Sequence, residues 1–228
     1  MEAIARFFNE TFGDQESALY KALVKKKTYL SGIKNSAVDT IRREVLRQFP
    51  VLGGAPKEIE IAGKLGMTAQ VVGEALNELA QFDLLTLNDH GVIISAYPFS
   101  HVPTSHKVTL EDGRSVWALC AVDALGVSSM LKAPVTVTST CFHCDAPIGI
   151  TVNDARLIAK TPAGIYVWLS TKESCGCTAR TMCPLINFFC SAAHLKEWRE
   201  ANRDEAGYAL TLDQALKAGY LIFSDFLD

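Results

Sequence analysis

The sequence has no excess of basic charge and few cysteines for its length. Its 22 Lys and Arg residues are outnumbered by 25 Asp and Glu residues, which leaves a formal net charge of −3. Proteins that bind nucleic acid usually carry a basic excess, so we expect no nucleic-acid partner. Seven cysteines among 228 residues are far fewer than the roughly 8–10% of a disulfide-rich secreted domain.

Signals for secretion and for membrane insertion are also missing. The first residues, Met-Glu-Ala-Ile-Ala-Arg, lack the basic start and apolar stretch of a signal peptide. The longest apolar stretch, Val116 to Val127, contains Asp123 and is shorter than the about 20 residues that cross a bilayer. We therefore expect a cytoplasmic protein with no membrane partner, whose cysteines are thiols, metal ligands or nucleophiles rather than disulfides.

What the sequence does contain is two parts of different character. Residues 1–98 show apolar positions three and four apart, which is typical of helices, and end in two β-rich runs around Asn88-Asp89-His90-Gly91, which predict a hairpin. Residues 99–228 are strand-rich and contain all seven cysteines. We predict an α+β fold: an N-terminal winged-helix-like helical module (1–98), then a catalytic domain (99–228) with a mixed, mostly antiparallel β-sheet and flanking helices.

A winged-helix-like module suggests DNA binding as one interpretation, because helix-turn-helix modules commonly bind DNA. Its second helix, predicted from Thr68 to Asp83, contains two Glu residues and no Lys or Arg. Phosphates would repel such a helix, so we interpret residues 1–98 as a packing module. A metal-responsive regulator remains an alternative.

In the second part, a helix predicted at about Val116 to Leu125 would place Cys120 and Asp123 on one face. A carboxylate among apolar neighbours must be paired or protonated. One alternative is purely structural: Cys120 is then a core thiol, and Asp123 pairs with an arginine such as Arg114, Arg156 or Arg180.

A last helix is predicted from Thr211, whose spacing to Gln214 resembles a capping box, to about Gly219.

Two cysteine pairs suggest a second kind of chemistry. Cys141-Phe-His-Cys144 and Cys175-Gly-Cys177 together could supply four thiolates to a tetrahedral zinc ion. A non-catalytic module that binds zinc or another thiophilic ion is therefore the second hypothesis. His194, on a predicted helix, is expected at the surface.

Three stretches resemble the organomercurial lyases (alkylmercury lyases), in the order of that family. Asp112 to Leu125, with Cys120-Ala-Val-Asp123, resembles the family's active-site helix. Val135 to Val152, with Ala146-Pro147-Ile148, resembles its cysteine-centred hairpin. Cys183 followed by Asn187-Phe-Phe-Cys-Ser resembles its second active-site cysteine segment. The resemblance covers about residues 57–219.

The resemblance implies protonolysis of a carbon–mercury bond, which converts R–Hg⁺ into R–H and Hg²⁺. Cys120 and Cys183 match the two mercury-binding cysteines, because soft mercury prefers thiolates. Asp123 matches the carboxylate that relays the proton and belongs to the same mercury site, and Cys141 matches a structural cysteine. No resident cofactor is implied. External thiols are expected as reductant, and Hg(II) would leave to small thiols or a mercuric reductase.

The sequence also departs from the family's pattern at several positions. Cys144-Asp145 stands where relatives have Thr-Gly, and Cys190 stands where Ala is expected. The remaining departures are Pro184, Asn187 and the pair Cys175 and Cys177. Trp117, Phe188 and Met130 are expected either to line the substrate pocket or to pack in the core. We also expect burial to raise the pKa of Asp123.

Overall fold

A computed structural model describes residues 1–13, 18–171 and 177–228 and has an α+β architecture. Its helices are α1 (Glu2–Phe12), α2 (Ala18–Ile33), α3 (Ala37–Leu52), α4 (Glu58–Leu65), α5 (Ala69–Gln81), α6 (Ala121–Leu131), α7 (Thr178–Thr181), α8 (Ala192–Ala201) and α9 (Leu212–Phe223). Its strands are β1 (Leu85–Leu87), β2 (Ile93–Ala96), β3 (Phe99–Ser100), β4 (Lys107–Leu110), β5 (Ser115–Ala118), β6 (Val135–Thr140), β7 (Pro147–Asn153), β8 (Arg156–Thr161), β9 (Tyr166–Ser170), β10 (Asn187–Phe189) and β11 (Gly207–Thr211). Within these ranges no helix is both long and apolar enough to traverse a bilayer.

Helices α3 to α5 are followed by an antiparallel hairpin of β1 and β2, in the order expected from the sequence. The Thr68 hydroxyl accepts a hydrogen bond from the Val71 N–H and caps α5, as expected for an N-cap residue. Strand β2 also pairs with β3, so the hairpin continues into the main sheet. The winged-helix classification and the division after residue 98 stay predictions.

Two antiparallel sheets form the rest of the framework. The larger has the strand order β1-β2-β3-β5-β4-β6-β7-β8, and the smaller has the order β10-β9-β11. The predicted antiparallel sheet with flanking helices is therefore confirmed. In β6 buried and exposed residues alternate along the whole strand, which is the pattern of a sheet with one face in the core.

The helix predicted from Val116 is wrong in its first part. Ser115–Ala118 is strand β5, paired on either side with β3 and β4, and the helix begins only at Ala121. An apolar run of this length fits a buried strand as well as a helix, and periodicity alone does not separate them. Cys120 therefore lies at the strand–helix junction, as the N-cap of α6.

Helix α6 is buried along almost its entire length and crosses α9 very closely. The crossing is made at Gly126 and Gly219: a Cβ on Gly219 would lie 2.9 Å from the Gly126 nitrogen and 2.9 Å from the Val122 carbonyl oxygen. Gly219 is therefore a packing residue and not the end of the last helix, which continues to Phe223. The capping box expected at Thr211 is present.

Replacing Gly219 by alanine should destabilise the protein, because backbone atoms of α6 occupy the space that the new Cβ needs. We expect Gly219→Ala to lower the free energy of unfolding by about 1–3 kcal/mol, measured by urea denaturation. Gly63→Ala in α4 is the matched control, because a Cβ there meets no atom within 4 Å; it should be neutral or stabilise by up to about 1 kcal/mol. Equal effects of both variants would contradict the close crossing.

Candidate active site

The three residues singled out by the resemblance converge at the start of α6. Cys120, Asp123 and Cys183 each offer one ligand atom, and these atoms lie within 4.8 Å of one another. All three side chains are buried, with exposed fractions of 2%, 4% and 2%. Two sulfurs and one carboxyl group thus share a site from which water is largely excluded.

Local backbone structure places these groups. The Cys120 sulfur accepts a hydrogen bond from the Asp123 N–H at 3.4 Å, in the manner of a helix cap. Cys183 opens a short 3-10 turn, Cys183–Leu185, on a distant segment of the chain. The Ala121 N–H donates to the Ile186 carbonyl oxygen at 3.0 Å. That hydrogen bond joins the Cys120 segment directly to the Cys183 segment.

Burial dominates the electrostatics of the site. It raises the pKa of Asp123 to about 7, against opposing effects of the two cysteines and Lys26. Burial also raises the pKa of the Cys120 thiol well above its ordinary value. The Cys183 thiol donates a long hydrogen bond of 3.8 Å to Asp123 Oδ2. The carboxyl group can therefore either hold or accept a proton near neutral pH.

The alternative in which an arginine pairs with Asp123 is wrong. Arg114 instead pairs with the neighbouring Asp112 at 2.5 Å. Within the described ranges, the hydrogen bonds of the Asp123 carboxyl group go to sulfur, and the charge acting on it is the ammonium group of Lys26.

Two residues next to the site were not identified by the sequence analysis. The Tyr97 hydroxyl lies 3.1 Å from the Cys183 sulfur, and burial raises the pKa of that hydroxyl. It therefore stays protonated and can donate a hydrogen bond to a thiolate. The Lys26 ammonium group lies 4.1 Å from the centre of the Tyr97 ring and forms a salt bridge with Asp83 at 2.7 Å. Neither residue belongs to a recognisable motif.

An apolar cavity of about 70 Å³ opens beside the two thiols and the carboxyl group. Most of its wall comes from the N-terminal helices and from the C-terminal region: Ile4, Phe7, Phe8, Leu23, Leu221, Ile222, Phe223 and Phe226. The first two helices, for which the sequence suggested no role, thus cover the site.

Of the two roles expected for Trp117, Phe188 and Met130, core packing is favoured, since none of the three lies among the cavity-lining residues of the described chain. Trp117 is in strand β5 on the face opposite Val116 and Ala118, and Phe188 packs edge-on against His106 with ring centres 5.5 Å apart. Met130 lies at the far end of α6, seven residues or about 10 Å from Asp123.

Among the described residues, Cys177 does not join Cys141 and Cys144 as the zinc hypothesis expected. The Cys177 sulfur lies 3.0 Å from the Thr86 hydroxyl, in a different place from Cys141 and Cys144. Cys175 lies outside the described residues. Cys141 and Cys144 instead group with Cys190 and with His194, which was expected at the surface and is half-buried.

Comparison with known proteins places the chain in a family. Residues 99–224, more than half of the chain, match the family model for alkylmercury lyase. The chain belongs to the alkylmercury lyase family. The matched residues include Cys120, Asp123 and Cys183.

Individual alkylmercury lyases and a solved structure agree with this assignment. An alkylmercury lyase of Staphylococcus epidermidis is 25% identical over 167 residues, which cover 73% of this chain and 74% of the relative. One of Bacillus cereus is 23% identical over 155 residues, covering 68% and 69% of the two chains. The crystal structure of the mercury-bound form of MerB2 is similar with a TM-score of 0.74 and 26% identity, covering 91% of this chain and 98% of that one.

The raised pKa of Asp123 predicts how stability depends on pH. Its folded-state pKa of about 7 lies above the ordinary value of 3.8, so the folded protein holds this proton more tightly than the unfolded chain. The resulting stabilisation is complete below pH 3.8, falls as the pH rises, and is lost above about pH 7. From about pH 5 to pH 8, wild type should lose about 2–3 kcal/mol of unfolding free energy relative to Asp123→Asn.

Urea denaturation of both proteins across this pH range measures the difference. Asp89→Asn, at an exposed turn position, is the control and should follow the wild-type curve. Parallel curves for wild type and Asp123→Asn would mean that this carboxyl group titrates at its ordinary pKa.

Proposed function

We propose that the protein cleaves the carbon–mercury bond of organomercurials by protonolysis, releasing a hydrocarbon and leaving Hg(II). The observation that carries the proposal is the convergence of Cys120, Cys183 and Asp123 in one buried apolar site. Membership of the alkylmercury lyase family supports it. In balance, R–Hg⁺ and two thiols give R–H, a mercury bis-thiolate and one released proton.

The two cysteines capture and activate the substrate in this proposal. Mercury is a soft metal ion, for which thiolate is the preferred ligand. The first thiolate holds the organomercurial, and the second raises the electron density on the metal and weakens its bond to carbon. The Tyr97 hydroxyl, 3.1 Å from the Cys183 sulfur, would donate a hydrogen bond to that sulfur.

Asp123 supplies the proton in this proposal. A free carbanion is a very poor leaving group, so a proton must reach carbon as the bond to mercury breaks. The carboxyl group would accept a proton from a cysteine as mercury binds and return it to carbon, which is general acid–base catalysis. A pKa of about 7 suits both directions of transfer near neutral pH.

The cavity suits a small hydrocarbon group on mercury. Its apolar wall favours an uncharged alkyl or aryl group by burying it from water. After cleavage, Hg(II) would remain on Cys120 and Cys183 until external thiols or a mercuric reductase remove it. We propose no resident metal or organic cofactor for the reaction.

We also propose that α3 to α5 and the β1–β2 hairpin are a winged-helix-like packing module and not a DNA-binding one. Glu78 on α5 accepts a hydrogen bond of 2.7 Å from the Tyr29 hydroxyl on α2. Phe82, which follows α5, stacks on the Tyr29 ring with centres 3.6 Å apart. The helix that would have to read DNA is thus engaged within the protein.

Cys120→Ser and Cys183→Ser should each nearly abolish cleavage, because a neutral hydroxyl is a poor ligand for mercury. Cleavage is measured as benzene released from phenylmercury in the presence of excess small thiol. Cys177→Ser is the matched control, since that sulfur lies near Thr86 and not in the cavity. Wild-type turnover in either cavity variant would defeat the two-thiol mechanism.

Asp123→Asn should still bind phenylmercury but release benzene about 10²–10⁴-fold more slowly, because it removes the general acid. Binding is measured by the loss of two titratable thiols on addition of the mercurial, and turnover by benzene release. Loss of both binding and turnover would assign Asp123 to the binding of substrate, and retention of both would exclude it from the reaction.

A further inference from the structure

A second cluster of metal-ligating side chains lies outside the cavity. Cys141 follows β6, Cys144 lies in the turn between β6 and β7, Cys190 lies between β10 and α8, and His194 is in the first turn of α8. Each offers one ligand atom, and all four atoms lie within 4.8 Å of one another. The proposed lyase reaction uses none of them.

The four atoms lie close enough together to surround one small metal ion, and two of three pair distances among them are near those of a tetrahedral site, whereas the third would have to lengthen by about 0.5 Å. Zinc bonds of about 2.3 Å to sulfur and 2.0–2.1 Å to nitrogen put two sulfurs about 3.8 Å apart, and a sulfur about 3.6 Å from a nitrogen. The sulfurs of Cys144 and Cys190 are 3.8 Å apart. The Nδ1 atom of His194 lies 3.1 Å from the Cys190 sulfur and 3.8 Å from the Cys141 sulfur.

We propose that Cys141, Cys144, Cys190 and His194 bind a structural zinc ion. Three thiolates and one imidazole are an established zinc ligand set, and a site closed by four protein ligands is structural rather than catalytic. The distance of 3.8 Å between the Cys144 and Cys190 sulfurs is much longer than a disulfide bond, which is about 2.05 Å. The sequence motifs are Cys-x-x-Cys and Cys-x-x-x-His.

Backbone hydrogen bonds already hold the ligands in place. The Asp145 N–H donates to the Cys141 carbonyl oxygen at 2.9 Å and closes the turn that carries Cys144. The Cys190 N–H donates to the Cys141 sulfur at 3.3 Å, which links the two segments that carry these cysteines. The Phe142 N–H donates to the Phe188 carbonyl oxygen at 2.9 Å and ties the turn to β10.

The position of the cluster suggests what the zinc would do. Cys190 lies at the end of the segment that begins with the cavity residue Cys183 and includes β10. A zinc ion would fasten the far end of this segment to the β6–β7 turn. It would thereby restrict the motion of the segment that positions Cys183 against Asp123.

Metal analysis of the full-length protein tests the site. Protein purified with a reducing agent and no added metal should contain about one zinc per chain, measured by mass spectrometry of the elements. Cys144→Ser, Cys190→Ser and His194→Ala should each lose most of this zinc. Cys177→Ser and His143→Ala, in residues outside the cluster, are matched controls and should retain it.

Cobalt substitution of the wild-type protein covers the case in which a variant fails to fold. Protein stripped with a chelator and reloaded with Co²⁺ should show the intense visible bands of tetrahedral cobalt together with sulfur-to-cobalt charge transfer. These bands should persist in Cys120→Ser and Cys183→Ser, which distinguishes the cluster from the cavity whatever the outcome of the lyase assays.

Three results would overturn the proposal. The first is freshly purified wild-type protein that contains no zinc and gives no tetrahedral cobalt spectrum. The second is a Cys144–Cys190 disulfide in protein kept under reducing conditions. The third is zinc that is lost on changing Cys120 or Cys183 and retained on changing Cys144 and Cys190.

Discussion

Burial of the Asp123 carboxyl group beside two thiols is the constraint on which the site depends. Asp123 lies in the first turn of α6, where the helix dipole favours a negative charge, and Lys26 acts in the same direction. Desolvation is nevertheless the larger effect and raises the pKa to about 7. Exclusion of water from the Asp123 carboxyl group therefore raises its pKa enough for it to act as a proton donor. An aspartate exposed to water would be ionised near neutral pH.

The fold excludes that water with elements from both ends of the chain. Phe7 and Phe8 of α1 and Phe223 of α9 line the cavity, and α9 in turn crosses α6 at Gly126 and Gly219. The same crossing thus fixes the helix that begins next to Cys120 and brings an apolar wall over it. Stability and the protonation state of Asp123 are coupled through this packing, because loosening α9 would readmit solvent to the carboxyl group.

Local signals in the sequence predicted much of the fold but little of the site's surroundings. The capping box at Thr211 and the hairpin around Asn88-Asp89-His90-Gly91 are encoded in adjacent residues, and both are present. The resemblance selected Cys120, Asp123 and Cys183, and the structure brings them together. Tyr97 and Lys26 could not be found this way, because they reach the site only through tertiary packing of segments with no motif of their own. Gly219 misled for the same reason: a glycine that ends a helix and a glycine that admits a neighbouring helix have the same local pattern.

The two sulfur clusters differ in the number of ligands that they offer, as the coordination of their proposed metals differs. The cavity offers two thiols and a carboxyl group, all buried beside open apolar space, so a soft ion could be held by two sulfurs while its remaining bond points to carbon. The outer cluster offers three thiols and an imidazole within 4.8 Å of one another, and four protein ligands around one ion would leave no position for a substrate. Cys144 and Cys190, which are distant in sequence, meet in that outer cluster. The segment from Cys183 to Cys190 has one end in each cluster. In the two proposals a metal ion would bind each end, mercury at Cys183 and zinc at Cys190. The metal ligands would add to the hydrophobic packing of Phe188 and Phe189, which are fully buried in this segment, in fixing the position of the Cys183 sulfur.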